Sequence, residues 1–171
     1  GSIARSEYSV YGQPYLDVEA FEDGFVVLGA DGRLCFYDSE SELTSSEQPE
    51  GIDKARFMCS VSDAIVLADS TSLSCLLDGT WIPMQIPEGT RICCIESFYG
   101  GVAALAEDGK FLFWGSPFDK AQLVATGAKG RFVDMDSYGE KCYAVTDLSE
   151  IVSIDLGLRA RIFDFNAYYS E

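Results

Sequence analysis

Four stretches of the chain share one alternation of apolar and polar positions. They are "GFVVLGADGRLCFYD" from Gly24, "DAIVLADSTSLSCLLD" from Asp63, "GVAALAEDGKFLFWG" from Gly101 and "KCYAVTDLSEIVSID" from Lys141. Each runs apolar, breaks at a short polar turn and runs apolar again, the pattern of two half-buried strands joined as a hairpin. Aligned on Leu28, Leu67, Leu105 and Val145, they recur about every forty residues, which marks a repeat architecture. A further alternating segment opens each repeat: "YLDVEAF" at Tyr15, "RFMCSVS" at Arg56, "RICCIES" at Arg91 and "RFVDMDS" at Arg131. Turn residues separate opening from hairpin at Glu22-Asp23-Gly24, Ser62-Asp63, Tyr99-Gly100-Gly101 and Tyr138-Gly139-Glu140.

Within the hairpins, Asp31-Gly32 and Asp108-Gly109 predict tight two-residue turns, because Asp-Gly tolerates positive φ. Ser70-Thr71 and Leu148-Ser149 predict looser ones. A fourth strand is expected in "TWIPMQI", where proline points to an outer edge, in "QLVAT", and in "ARIFDF". The first repeat instead continues into "DSESELTSSEQPEG", Asp38 to Gly51, which reads as a mobile acidic loop carrying candidate phosphorylation sites. No helical periodicity stands out. Three to four short antiparallel strands, repeated four times, predict an all-β, propeller-like domain of about four blades. The expected bounds are 15–165, with repeats at about 15–54, 55–90, 91–130 and 131–165 and tails at 1–14 and 166–171. Such a chain either closes as a small propeller or forms a partial arc. An arc exposes apolar sheet at both ends and invites completion by missing sequence, a partner or a second copy.

Hydrophobic residues make up 47% of the sequence, enough for a packed core. The net charge of −16 disfavours phosphate backbones and anionic bilayers and favours Lys/Arg-rich partner segments. No apolar run is long enough to span a bilayer. The six cysteines form no Cys-x-x-Cys pair and sit mostly in apolar runs, which fits reduced, buried thiols in a cytoplasmic or nuclear protein. Of the vicinal pair Cys93-Cys94, one is expected to face the core and the other the neighbouring strand. Gly1-Ser2 has the form of a cloning remnant, which leaves room for a longer natural chain.

"GVAALAEDGKFLFWG" closely resembles the repeat of the regulator of chromosome condensation family. The resemblance rests on Ala104-Leu105, the turn Asp108-Gly109 and the end Trp114-Gly115. It implies a propeller, which has seven blades in that family. It also implies either guanine-nucleotide exchange on a Ran-type small GTPase, with a chromatin link, or an interaction module. The other repeats depart from it. The family's repeat histidine is absent, since the chain contains none, and Trp-Gly is replaced by Tyr37-Asp38, Leu76-Leu77 and Ile154-Asp155. The first and last of these ends are similar to a Trp-Asp repeat.

Without histidine, no Ser-His-Asp or Cys-His nucleophile forms, and neither zinc spacing is present. No catalytic, cofactor or metal residue is therefore assigned. The carboxylates of "DVEAFED" and "DMDSYGE" read as polar alternate strand positions, with a carboxylate-only calcium or glycosidase site as the other reading. The expected function is a non-enzymatic protein-interaction scaffold inside an intracellular complex; nucleotide exchange and self-assembly are the alternatives. Candidate partner-binding residues are aromatics of the tails and loops: Tyr8, Tyr11, Tyr15, Trp81, Phe118, Tyr168 and Tyr169. Their other reading is packing within the blades.

Overall fold

The computed structural model describes residues 14–164. They form sixteen strands in four antiparallel sheets, with no helix among the described residues. Blade 1 holds β1 (Tyr15–Phe21), β2 (Gly24–Gly29), β3 (Leu34–Tyr37) and β4 (Leu43–Glu47). Blade 2 holds β5 (Phe57–Val61), β6 (Ala64–Ala68), β7 (Leu73–Leu77) and β8 (Thr80–Met84). In blade 3 these positions are β9 (Ile92–Phe98), β10 (Gly101–Ala106), β11 (Lys110–Trp114) and β12 (Gln122–Ala125). In blade 4 they are β13 (Phe132–Tyr138), β14 (Lys141–Thr146), β15 (Glu150–Asp155) and β16 (Ala160–Asp164). Every sheet is a simple meander, each strand pairing with the next in sequence.

The first strands of the blades stand side by side in the order β1, β5, β9, β13. Between consecutive blades lies an apolar core. Val26, Leu28 and Leu34 meet Ile65, Leu67 and Leu76 between blades 1 and 2. Val66, Ala68 and Leu73 meet Ala104, Leu112 and Trp114 between blades 2 and 3. Leu105 and Phe111 meet Ala144, Val152 and Ile154 between blades 3 and 4. No such core joins blade 4 to blade 1 among the described residues, so they form an arc.

Four sequence expectations change. The acidic stretch from Asp38 to Gly51 contains strand β4, whose Leu43, Ser45, Ser46 and Glu47 pair with β3. An edge strand has one face and one edge in water, so a polar composition hides it. The alignment on Leu67 is off by one residue. Leu28 and Leu105 face the following blade, but Leu67 faces the preceding one, and Ala68 is the true equivalent. A one-residue slip moves a strand residue to the other face of the sheet. The Asp-Gly turns are not two-residue turns. Gly32 N–H donates to the Gly29 carbonyl at 2.9 Å, and only Gly32 is left-handed, at φ 84°. This is a longer loop closed by a left-handed bulge residue. The fourth repeat is not looser: Ser149 takes the same place, at φ 62°, donating to Thr146. The two-residue turns instead join the first and second strands of every blade, where Glu22, Ser62, Tyr99 and Gly139 all have positive φ.

Candidate interaction face

A four-stranded meander puts its first and third turns at one end and its second turn at the other. In this molecule the ends differ in charge. The upper face, bearing the first and third turns, carries Glu22, Asp23, Asp38, Glu40, Glu42, Asp63, Asp78, Asp119 and Glu140. Lys120 and Arg159 are the basic residues of those turns. Arg33, Lys54, Arg56, Arg91, Lys129 and Arg131 lie in turns and connections of the lower face. The lower face also carries Asp31, Glu50, Asp53, Asp69, Glu88, Glu107, Asp108 and Asp147, so carboxylates lie on both faces and it is the basic residues that are sorted to one of them.

Two clefts open on the upper face. The first, about 280 Å³, lies between blades 1 and 2 and is lined by Phe21, Glu22, Phe36, Glu47, Asp63 and Asp78 among others. The second, about 210 Å³, lies between blades 2 and 3 and is more apolar: Val61, Ala64, Leu77, Met84, Trp114 and Pro117, with Asp63 and Gly100 at its mouth. Asp63 borders both. Around the second cleft stand two exposed aromatics, Tyr99 in the β9–β10 turn and Phe118 in the β11–β12 loop. Tyr99 holds φ 45°, a conformation a bulky side chain adopts at a cost, where blade 4 uses Gly139.

Carboxylates also gather on the innermost strands. Asp17 and Glu19 of β1 and Glu96 of β9 lie on the faces turned toward the following blade, and Asp134 and Asp136 of β13 lie on the matching outward face of blade 4, beside Val145 and Tyr143. Burial raises Asp17, though a hydrogen bond from the Val18 N–H opposes it. Burial and then the Asp17 charge raise Glu19. Burial, followed by Asp136 and Glu19, raises Glu96. These groups therefore sense one another across the arc. They do not come close enough to hold a cation: no group of three or more metal-capable side chains occurs among the described residues.

The sequence candidates do not form one cluster. Trp81 packs against the core between blades 1 and 2. Tyr15 sits on β1 with its hydroxyl 3.3 Å from that of Tyr37. Phe118 is exposed beside the second cleft. Tyr8, Tyr11, Tyr168 and Tyr169 lie outside the described residues. Sequence reasoning missed Tyr99, Asp63 and the sorting of charge between faces. Assigning each basic residue to its end of the meander would have revealed the sorting. Cys93 and Cys94 also differ from expectation. β9 bulges at Cys93, and both thiols pack beside the core between blades 3 and 4. There Cys93 Sγ donates to the Leu105 carbonyl at 3.2 Å.

No family model matches the chain, and neither does any curated protein. Solved structures do match. The WD40 domain of Neurospora crassa Pan2 is 14% identical, with a TM-score of 0.67 over 86% of this chain and 51% of that one. A catalytically inactive variant of virginiamycin B lyase from Staphylococcus aureus, with quinupristin, is 9% identical, with a TM-score of 0.77 over 91% and 57%. BBS1N in complex with ARL6DN is 14% identical, with a TM-score of 0.70 over 90% and 54%. The fold is of the β-propeller type. The likeness extends to WD40 and other propellers alike and does not single out the chromosome-condensation repeat. The chain spans about half the length of the propeller chains it matches.

Proposed function

We propose that this propeller arc is a non-enzymatic protein-interaction domain of an intracellular complex. Its upper face takes a Lys/Arg-rich, extended segment of a partner. One observation carries the reading: two inter-blade clefts lined in part by Glu22, Asp63 and Asp78 and two exposed aromatics coincide on the face whose turns hold few basic residues, while much of the basic charge lies on the other face. A lysine or arginine stem fits an apolar cleft while its head meets Asp63, and an aromatic face attracts a cation. Among the similar structures, a WD40 domain and a propeller bound to another protein agree with a binding role. One similar structure is a lyase inactivated by replacing a histidine, and this chain has no histidine to offer.

The test is capture of basic peptides from a randomised library, followed by titration of the best binder. Affinity is expected to fall about tenfold or more between 50 and 300 mM salt. Asp63→Asn should weaken binding several-fold. Tyr99→Gly should weaken binding while leaving stability unchanged or raised, because glycine relieves the left-handed strain. Salt-independent binding, or binding indifferent to both changes, would overturn the reading.

A further inference from the structure

Strand β9 carries two adjacent thiols on one side of its sheet. In a regular strand successive side chains alternate between faces, so Cys93 and Cys94 would point apart. The register breaks that alternation. Cys94 pairs with Leu105 and Ile92 with Ala106, which leaves Cys93 as the extra residue of a bulge. Ile92 and Ile95 therefore pack toward blade 2, while both thiols pack against the core between blades 3 and 4. Bulges stand at the same place in β1 and β13, where the doubled residues are Leu16-Asp17 and Val133-Asp134. Blade 3 puts a pair of thiols there instead, and both are partly exposed. The four other cysteines are buried. Among them, Cys59 and Cys75 lie two strands apart, on either side of Val66.

We propose that Cys93 and Cys94 form a redox-sensitive dithiol, closed to a disulfide by low-molecular-weight disulfides such as oxidised glutathione and reopened by thiols. The Cys93 thiolate attacks one sulfur of the oxidant, forms a mixed disulfide and expels one thiolate. Cys94 then loses its proton to solvent and attacks the Cys93 sulfur, expelling the second thiolate. One sulfur–sulfur bond replaces two sulfur–hydrogen bonds, and the oxidant leaves, reduced, as two thiols. The surroundings set this order. The Cys94 thiol hydrogen-bonds the Cys93 sulfur and lowers its pKa, against burial and the charge of Glu107. Cys94 itself is raised chiefly by that bond, then by burial. Capping Cys93 removes its negative charge, and the largest obstacle to ionising Cys94 goes with it. The closed form is labile by construction. Adjacent Cα atoms stand about 3.8 Å apart, less than the roughly 4.4 Å that disulfides normally span, so the ring is strained and readily reduced. A loop between neighbouring residues hardly restricts the unfolded chain, so closure adds almost no stability. Oxidation also removes the proton that Cys93 donates to the Leu105 carbonyl at 3.2 Å. None of this depends on the basic-peptide binding proposed above.

Intact-mass measurement after incubation with glutathione, at set ratios of oxidised to reduced form, reads the closure. The expected product lacks two hydrogen atoms and carries no glutathione. Peptide mapping should place the change in the fragment that holds Cys93 and Cys94. Cys94→Ser should instead retain one glutathione on Cys93, and Cys93→Ser should close no bond. Circular dichroism should report both variants as folded, and the wild-type masses decide the matter without them. The oxidised protein should melt a few degrees below the reduced one and recover when thiol is added. A wild-type chain that stays fully reduced, keeps the glutathione adduct, joins other cysteines or melts higher once oxidised would overturn the proposal.

Discussion

At the scale of single residues, Trp114 shows why one hairpin ends in an aromatic. Its ring is fully buried between blades 2 and 3, and its Nε1–H donates to the Gln85 carbonyl at 2.9 Å. One side chain thus ties blade 3 to the segment leaving blade 2. Trp114→Phe keeps much of the packing but orphans that carbonyl, so chemical denaturation should show a loss of about 1–3 kcal/mol. The neighbouring glycine has a similar cause. A Cβ at Gly101 would run into the Trp114 carbonyl oxygen, and one at Gly24 into that of Tyr37. Both glycines were visible in the repeat; the backbone approach that demands them was not.

At the scale of elements, bulges set what the innermost strands present. β1, β9 and β13 each carry a bulge, at Leu16, Cys93 and Val133, and β5 has none. The β9 bulge lets the Cys94 thiol hydrogen-bond Cys93, which lowers Cys93 below its ordinary value, while burial drives Cys59 well above its own. Thiol-directed labelling at mildly alkaline pH, followed by peptide mapping, should find Cys93 modified before the other cysteines and Cys59 among the last. Cys94→Ala should slow Cys93. The bulge was not legible in "RICCIES", because an extra residue keeps the composition of a strand and alters only its phase. Strand β4 was missed for a related reason. At an edge, "LTSSE" needs few apolar residues to pair.

At the scale of the whole molecule, charge governs stability. Asp17, Glu19 and Glu96 are raised chiefly by burial, so the folded chain takes up protons on them before the unfolded chain does. Stability therefore rises as pH falls from neutral through their raised values. Glu150 and Asp155 behave oppositely. Backbone N–H groups of Gly130 and Lys129 hold Glu150 below its ordinary 4.5. That of Arg159 holds Asp155 below 3.8. Their contribution is lost as pH drops below those ordinary values toward the lowered ones. Thermal melts should thus peak near about pH 5, falling away on both sides. Added salt should raise the melting temperature at neutral pH, because it screens the self-repulsion of a net −16. The three ion pairs found among the described residues are exposed and oppose this repulsion only weakly.

Period, strand alternation and turn chemistry are local properties, and they determined the all-β class, the four repeats and most strand positions. Each depends on residues a few places apart, so the sequence carries them directly. Other features depend on which residues meet across blades. Only the folded chain decided that Leu67 faces backward, that most of the basic residues gather on one face, and that no core joins blade 4 to blade 1 among the described residues. The face of a strand changes with a single residue of phase, and a blade cannot signal whether a neighbour will cover it. Val145 reads the same in sequence as Leu28 and Leu105, which are fully buried; only tertiary structure leaves it 40% exposed.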